Sequence, residues 1–333
     1  MHRAPIRPAT RDDHAQRVLR AWVHLGARLG EAHSLRSLAR VAHLSPFHFQ
    51  RVFERTTGET PAALLRRLRV ERAARALLDG DAPIGRVVAA AGYGSLEAFH
   101  RAFRRVFGTA PSAWRARRRR ERTTPVAAPK GLRVWVNRPS RDAQLRLVPV
   151  EPSVRAGRGR RTWRVEELAP LRVAFVRRMG TAEHARGEAE DFARLAEFAR
   201  RRGAPLDLVF VRLHLDDPRV TPPARRRLDR GVVVGPRRRG EGAIGVQSIG
   251  GGDHAAATVE GTRGGVARVR AWLEDAARRT LRRPRTTGPV LEVLLDDPRE
   301  PSRRARLADV LVPVASAPVR APGYFCRRRP AIS

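Results

Sequence analysis

In the first third of the chain the apolar residues recur every three or four positions, as they do in helices that bury one face. Val18, Trp22, Leu25 and Leu29 form the first such stripe, and Asp12-Asp13 ahead of it reads as the cap of a helix running to about Gly30. Ser34 precedes a short helix over Leu35 to Ala42. Ser45-Pro46, a capping side chain followed by proline at the first helical position, opens a third helix through about Thr56, and Gly58 ends it. Pro61 begins a longer helix to Leu78 with Leu64, Leu65, Leu68, Ala74 and Leu77 on its buried side, and Gly80 stops it. A short helix from Pro83-Ile84, a partner from Ser95 to Phe107 and a last short helix from Pro111 through Trp114 complete seven helices without a strand.

Part of this pattern occurs twice. Phe49-Gln50-Arg51-Val52-Phe53, then Gly58 and Pro61, returns 50 positions on as Phe99-His100-Arg101-Ala102-Phe103, then Gly108 and Pro111. Upstream, Leu35, Leu38, Ala39 and Leu44 return 49 positions on as Ile84, Val87, Val88 and Tyr93. One extra residue in Gly92-Tyr93-Gly94-Ser95 accounts for the slip. The chain is expected to hold two helix-turn-helix units joined by the helix from Pro61. Its 18 residues span about 27 Å at 1.5 Å per residue, which suits two contacts about one turn of B-DNA apart.

Residues 115–121 are almost all charged, and residues 122–161 hold Pro, Gly and Arg with no sustained period. Residues 122–161 read as a linker, with a stray strand over Leu132–Val136. After Thr162 the pattern changes to short apolar runs. Strands are expected at Leu171–Val176, Leu206–Leu215, Gly231–Val234, Ala243–Ile249, His254–Val259, Val290–Leu295 and Val310–Val314, with helices at Glu183–Arg202 and Val266–Leu281. Asp216-Asp217-Pro218 recurs as Asp296-Asp297-Pro298, 80 residues on. The expected architecture is therefore two domains: an all-α double helix-turn-helix, then an α+β domain of two β-α-β-β repeats with an antiparallel sheet. The divisions are 1–121 with a core at about 15–118, a linker at 122–161, a second domain at 162–316 and a basic tail at 317–333.

Composition adds less than it first offers. A net charge of +35 suggests nucleic acid, but it is spread along the chain. Residues 1–121 carry 24 arginines against 10 acids, and residues 122–333 carry 44 basic residues against 23 acids. Lys130 is the single lysine, a bias typical of GC-rich coding sequence, so the repeat is the stronger argument for DNA. The lone Cys326 excludes an intrachain disulfide and a cysteine-based zinc site. No apolar run is long enough for a membrane span and the N-terminus lacks a signal peptide's apolar core, so a cytoplasmic, nucleoid-associated location is expected. Gly250-Gly251-Gly252 is not a phosphate loop, because no Lys-Ser/Thr follows, and no cofactor or metal motif is present.

In a helix-turn-helix the second helix enters the major groove. Over Ser45–Glu54, Phe49, Val52 and Phe53 face the core while Pro46, Phe47, His48, Gln50 and Arg51 point outward. Gln and Arg are the side chains that make bidentate contacts with adenine and guanine edges. In the second copy Phe99, Ala102 and Phe103 pack inward, and Leu96, Glu97, His100 and Arg101 face out. Leu96 suits a thymine methyl and Glu97 can accept from cytosine. The first copy is the better equipped base reader.

These residues resemble the AraC/XylS family of transcriptional regulators. The matching pieces are Leu38-Ala39, Leu44-Ser45-Pro46, Phe49-x-Arg51-x-Phe53, Gly58-x-x-Pro61, Arg69-x-x-x-Ala73, Gly92-Tyr93, Phe99-x-Arg101-x-Phe103 and Gly108-x-x-Pro111. The resemblance implies double-stranded promoter DNA as partner, contacts with RNA polymerase and a role as activator. Residues 162–316 are similar to the effector-binding domain of the GyrI-like family, which is joined to AraC-type units in Rob-like regulators. That likeness rests on Val165-Glu166-Glu167-Leu168, Leu171–Phe175, Gly180, Asp216-Asp217-Pro218, Arg227-x-Asp229, Gly261, Glu292 and Val312-Pro313-Val314. It implies a cleft for a small hydrophobic, often cationic effector, with Glu292 facing the cation and Trp163, Phe175, Phe210 and Trp272 as aromatic lining. The usual aromatic beside the late-strand acid is absent here, since Val293-Leu294 follow Glu292, so a neutral apolar effector is an equal expectation.

Two other functions compete. A GyrI-like small-molecule hydrolase fused to a DNA-binding domain would use Glu292 as a general base. His254, placed in a turn beside the triple glycine, and Cys326 in the tail offer it no partner. A nucleoid-binding protein without sequence preference would use the overall charge alone.

Overall fold

The computed structural model describes residues 8–121, 133–135, 148–149, 163–180, 186–201, 208–261, 263–281, 285–286, 288–300 and 306–316. The first helix, α1, is Pro8–Ala27; α2 is Leu35–Val41, α3 Pro46–Thr57, α4 Pro61–Asp79, α5 Ile84–Ala90, α6 Leu96–Phe107 and α7 Pro111–Glu121. Local chemistry explains most of these limits. The Ser34, Ser45, Thr60 and Ser95 side chains each accept a backbone N–H of the first turn that follows. Gly58 and Gly108 close α3 and α6 in the left-handed conformation, with φ of 73° and 68°, which glycine adopts without a Cβ penalty.

Two helix limits differ from expectation. Helix α1 starts at Pro8, so Asp12-Asp13 are not its cap but lie within it, and Asp13 accepts from Arg17 Nε one turn on at 2.7 Å. Helix α7 does not stop at Trp114 but runs through the arginine run to Glu121. Arginine is a good helix former, and charge along a solvated helix is no stop signal. Arg115 and Arg118 also anchor the run, Arg115 by donating to the Ala82 carbonyl at 2.5 Å and Arg118 by lying over the Trp114 ring at 4.7 Å.

The helical region has two aromatic cores on one bridging helix. Phe49, Val52 and Phe53 pack with Val18, Trp22, Leu25 and Leu64. Phe99, Phe103 and Trp114 pack with Val70, Leu77 and Val88. Helix α4 contributes to both. Each core buries two phenylalanines completely, worth roughly 2 kcal/mol or more per ring in removed apolar surface.

The rest of the described chain is one curved antiparallel sheet with two helices. The strands are β1 Arg133–Trp135, β2 Val148–Pro149, β3 Arg164–Leu168, β4 Leu171–Met179, β5 Phe210–His214, β6 Arg227–Val233, β7 Gly245–Ile249, β8 Gly252–Gly261, β9 Val290–Leu294 and β10 Arg306–Pro313. Their order is β2-β3-β8-β10-β9-β5-β6-β4-β7, with β1 also on β8. Helix α8 is Glu188–Arg200, and α9 is Arg263–Ala276, continued by a π turn over Ala277–Leu281. The stretch read as a stray strand in a linker is β1, and it adds to the sheet. Arg164–Leu168 forms β3, a strand that its polar composition hides. His254 is not in a turn but lies buried in β8. Val148–Pro149 of the expected linker is β2, and the remainder of the linker and the tail from 317 lie outside the described residues.

The sheet has two differently covered faces. Alternation along β5 and β9 sends Phe210, Arg212, Glu292 and Leu294 to the side of α8 and α9, where Phe192, Leu195 and Phe198 join them. Val211, Leu213, Leu291 and Val293 point to the other side, with Val173 and Phe175. That second face is covered in part by α1, whose Leu19 and Val23 pack on it. Strands β5 and β9 pair at the centre, with Arg212 opposite Glu292, two positions 80 apart in the chain. Asp217 and Asp297, also 80 apart, each accept from the backbone N–H two residues on, Arg219 and Arg299, at 2.9 Å.

The segment between β5 and β6 ties the sheet to the helices. Val220 enters the core around Phe99 and Phe103. Thr221 Oγ1 donates to Glu71 at 3.1 Å, Arg225 pairs with Glu59 at 2.7 Å and Arg219 reaches Asp79 at 3.3 Å. Glu59 and Glu71 also share Arg67 of α4. Burial pushes the Glu59 carboxyl up, but Arg67 and Arg225 outweigh it and hold it below its ordinary value. Burial dominates at Glu71, whose carboxyl is raised.

Candidate nucleic-acid interface

Helix α3 follows the sharp turn at His43, which has a positive φ of 52°. Ser45 and Pro46 then start the helix, and burial of Phe49, Val52 and Phe53 fixes its rotation. The opposite face therefore presents Phe47, Gln50 and Arg51. Phe47 is 78% exposed, an unusual state for a large apolar ring. Arg51 lies over that ring, 5.9 Å from its centroid, and its Nη2 is 3.0 Å from His48 Nδ1. His48 is half-buried rather than pointing freely outward. Its Nε2 lies 3.2 Å from His14 Nε2 of α1, and the two rings meet edge to face. Burial lowers the His48 pKa, and His14 and Arg51 lower it further, so the ring is neutral and can accept from Arg51. Arg51 is thus held by a ring and an imidazole, with no carboxylate among its hydrogen-bond partners in the described residues.

Helix α6 repeats the frame with different surface chemistry. Phe99 and Phe103 are fully buried. Leu96 is 49% exposed at the start of the helix. Arg101 and Glu97 form an exposed pair one turn apart at 4.0 Å. His100 is half-buried with its ring against Phe99. Gly92, with φ 80°, stands where His43 stands in the first unit, and Gly94 is the extra turn residue. A Cβ at Gly92 would meet the Leu29 carbonyl at 2.9 Å and the Arg69 guanidinium at 3.0 Å, so the second turn is built around a glycine.

The eight residues expected to meet DNA therefore lie on two equivalent helices. Phe47, Gln50, Arg51, Leu96, Glu97 and Arg101 are exposed, while His48 and His100 act from half-buried positions. Sequence reasoning missed His14. Its role depends on α1 crossing α3, which no local pattern signals.

The five residues expected to hold an effector are not brought together. Phe175 lies on the sheet face that meets α1, fully buried under Arg177. Phe210 lies on the opposite face against Phe192, with ring centroids 5.4 Å apart. Trp163 and Trp272 pack beside Val269 and Leu273 of α9, away from both. Glu292 is buried and bonded to Arg212, which also pairs with Glu188, while His214 Nε2 lies 3.2 Å from its second oxygen. Burial pushes this carboxyl up, but Arg212 and His214 prevail and hold it at about 2. Glu292 already has a cation, supplied by the chain. Its partner was legible in the 80-residue echo, since position 212 is its counterpart. Among the described residues, no cluster of metal-ligating side chains occurs and no helix is long and apolar enough to cross a membrane.

Residues 38–117 match the family described as a helix-turn-helix domain. The chain is 38% identical over 88 residues to the RCS-specific HTH-type transcriptional activator RclR of Escherichia coli, covering 26% of this chain and 31% of that protein. It is 39% identical over 94 residues to the MmsAB operon regulatory protein of Pseudomonas aeruginosa, covering 28% and 29%. Among solved structures it is similar to the DNA-binding domain of AdpA, crystallised with a target DNA, at 30% identity and a TM-score of 0.32 over 33% of this chain and 98% of that one. The chain spans about a third of the length of the curated relatives it matches. Matched in sequence and carrying two capped units on one bridging helix, the helical region is a helix-turn-helix domain similar to those of AraC-like regulators.

Proposed function

We propose that this protein is a sequence-specific, ligand-controlled transcription regulator that reads promoter DNA with α3 and grips it with α6. One observation carries the reading. Helix α3 buries Phe49 and Phe53 completely and so presents Gln50 and Arg51, with Phe47, on a face left exposed among the described residues. Gln50 and Arg51 would make the bidentate base contacts, and the Phe47 ring would contact a thymine methyl. Helix α6 would add Leu96 to a base step, with Arg101 and His100 on phosphate. The sheet region, read as a GyrI-like domain of two β-α-β-β repeats, would be the effector-responsive part. Its junction with α4 supplies a route to both reading helices. Recruitment of RNA polymerase, and hence activation, follows from the family resemblance. A hydrolase is the weaker reading, because Glu292 held at about 2 by Arg212 is a poor general base near neutral pH.

Selection of bound fragments from a random duplex pool by the full chain tests the proposal. A recurrent motif should emerge, and its enrichment should fall with Arg51→Ala. A pool that emerges unenriched would instead indicate binding by charge alone.

A further inference from the structure

Between the helices and the sheet lies a cavity of about 560 Å³. It opens on the sheet face opposite α8 and α9, and so is separate from Glu292 and from the two tryptophans beside α9. Helix α1 contributes Trp22 and Val23, α4 contributes Leu68, Arg72 and Arg75, and the β5–β6 segment contributes Leu215 to Thr221 in part. Ile249 and His254 line the sheet side.

The charges around this cavity do not cancel. Asp216 is taken by Arg227 through both of its oxygens, Asp217 by Arg219, and Glu71 by Arg67 and Thr221. Arg177 is taken by Asp229 in a bidentate pair. Arg72 and Arg75 are left, three residues apart on α4 and so on one face. Among the described residues Arg72 has no ion-pair partner, and Arg75 donates only to the Thr286 carbonyl at 2.9 Å. Burial depresses the Arg75 guanidinium and outweighs Asp217, Asp79 and Glu274, which act against it.

We infer that this cavity binds a small carboxylate with an apolar body, its acid group on Arg72 and Arg75 and its body against Leu68, Val220 and Ile249. The class is opposite in charge to the cation expected from the family resemblance. The ligand would touch α4, which holds both helix-turn-helix units, and the β5–β6 segment that clamps it. Binding would therefore fix the helices on the sheet, and this deepens the reading of the protein as ligand-controlled.

Calorimetric titration of the full chain, without DNA, with benzoate, 1-naphthoate and decanoate against benzylammonium, 1-naphthylmethylammonium and decylammonium tests the site. At least one carboxylate should bind saturably below about 1 mM, tighter than its matched cation. Arg72→Gln with Arg75→Gln should weaken that carboxylate about tenfold or more. Arg72→Gln alone should weaken it several-fold and serves if the double variant fails to fold. No saturable carboxylate, equal binding of the matched cation, or undiminished binding by the folded variants overturns the assignment. Because the titration contains no DNA, its failure leaves the DNA-reading proposal to be judged on promoter affinity alone.

Discussion

The two helix-turn-helix units share an interior and differ on their surface. Helices α3 and α6 are each 12 residues long, each capped by serine, each ended by a left-handed glycine and each rotated by two buried phenylalanines. Outside, Arg51 rests on Phe47 and a neutral His48, whereas Arg101 is paired with Glu97. An arginine beside a neutral acceptor keeps its full charge for a base or phosphate. One beside a carboxylate must give up that pair first. A duplicated frame can thus hold one reading helix and one gripping helix, with the division made by a few side chains.

The shared interior can be tested for breakage first. Phe49→Ala and Phe99→Ala should each cost about 3–5 kcal/mol of unfolding free energy in denaturant melts. Widely unequal losses would mean that the two cores are not equivalent. The surface difference comes next. Arg51→Ala should weaken binding to a selected duplex by about 1–3 kcal/mol. Arg101→Ala should cost less, and equally on specific and random duplex, as a phosphate contact would. Caps come third: Ser45→Ala and Ser95→Ala should each lower stability by about 1 kcal/mol, since both side chains accept a first-turn N–H. Releasing Arg101 from its exposed partner gives a smaller effect. Glu97→Gln should raise DNA affinity by roughly twofold at low salt, and the gain should vanish as salt rises.

Acid should also separate the two units. The His48 pKa is depressed from 6.5 by burial, by His14 and by Arg51, with Arg55 and Arg17 adding to the same effect. The unfolded chain therefore binds that proton more readily, and the histidine favours folding only while neutral. Its contribution should be complete well above pH 6.5 and be lost as pH falls below it. The melting temperature of the native protein should drop more between pH 7.5 and 5.5 than that of His48→Gln. Parallel curves would remove His48 from the account.

Much of this was legible in the chain, for identifiable reasons. The capping serines, the prolines at first helical positions and the closing glycines are local signals, so α2 to α6 appear within about one residue of their expected limits. Asp12-Asp13 misled because an acidic pair serves equally as a cap or as an intrahelical partner, and Asp13 takes the second role with Arg17. The expected end of α7 at Trp114 fell short because the arginine run beyond it has no apolar stripe to signal a helix. Strand periodicity puts Phe210 and Val211 on opposite faces, but it cannot say which face receives the helices. The effector residues were therefore gathered from opposite faces. Arg212 opposite Glu292 depends on strand pairing, which only the 80-residue echo could have suggested. The cavity at Arg72 and Arg75 depends on how the helices dock on the sheet, for which the linear sequence carries no period.

The most direct test of the central claim is the affinity ratio between a selected duplex and a random duplex of equal length, measured at one physiological salt concentration for the native chain and Arg51→Ala. A regulator reading bases through α3 should show a ratio of at least about a thousandfold. Arg51→Ala should cut it by roughly tenfold while leaving random-duplex binding nearly unchanged. Equal affinity for the two duplexes, or a ratio untouched by Arg51→Ala, would contradict the account.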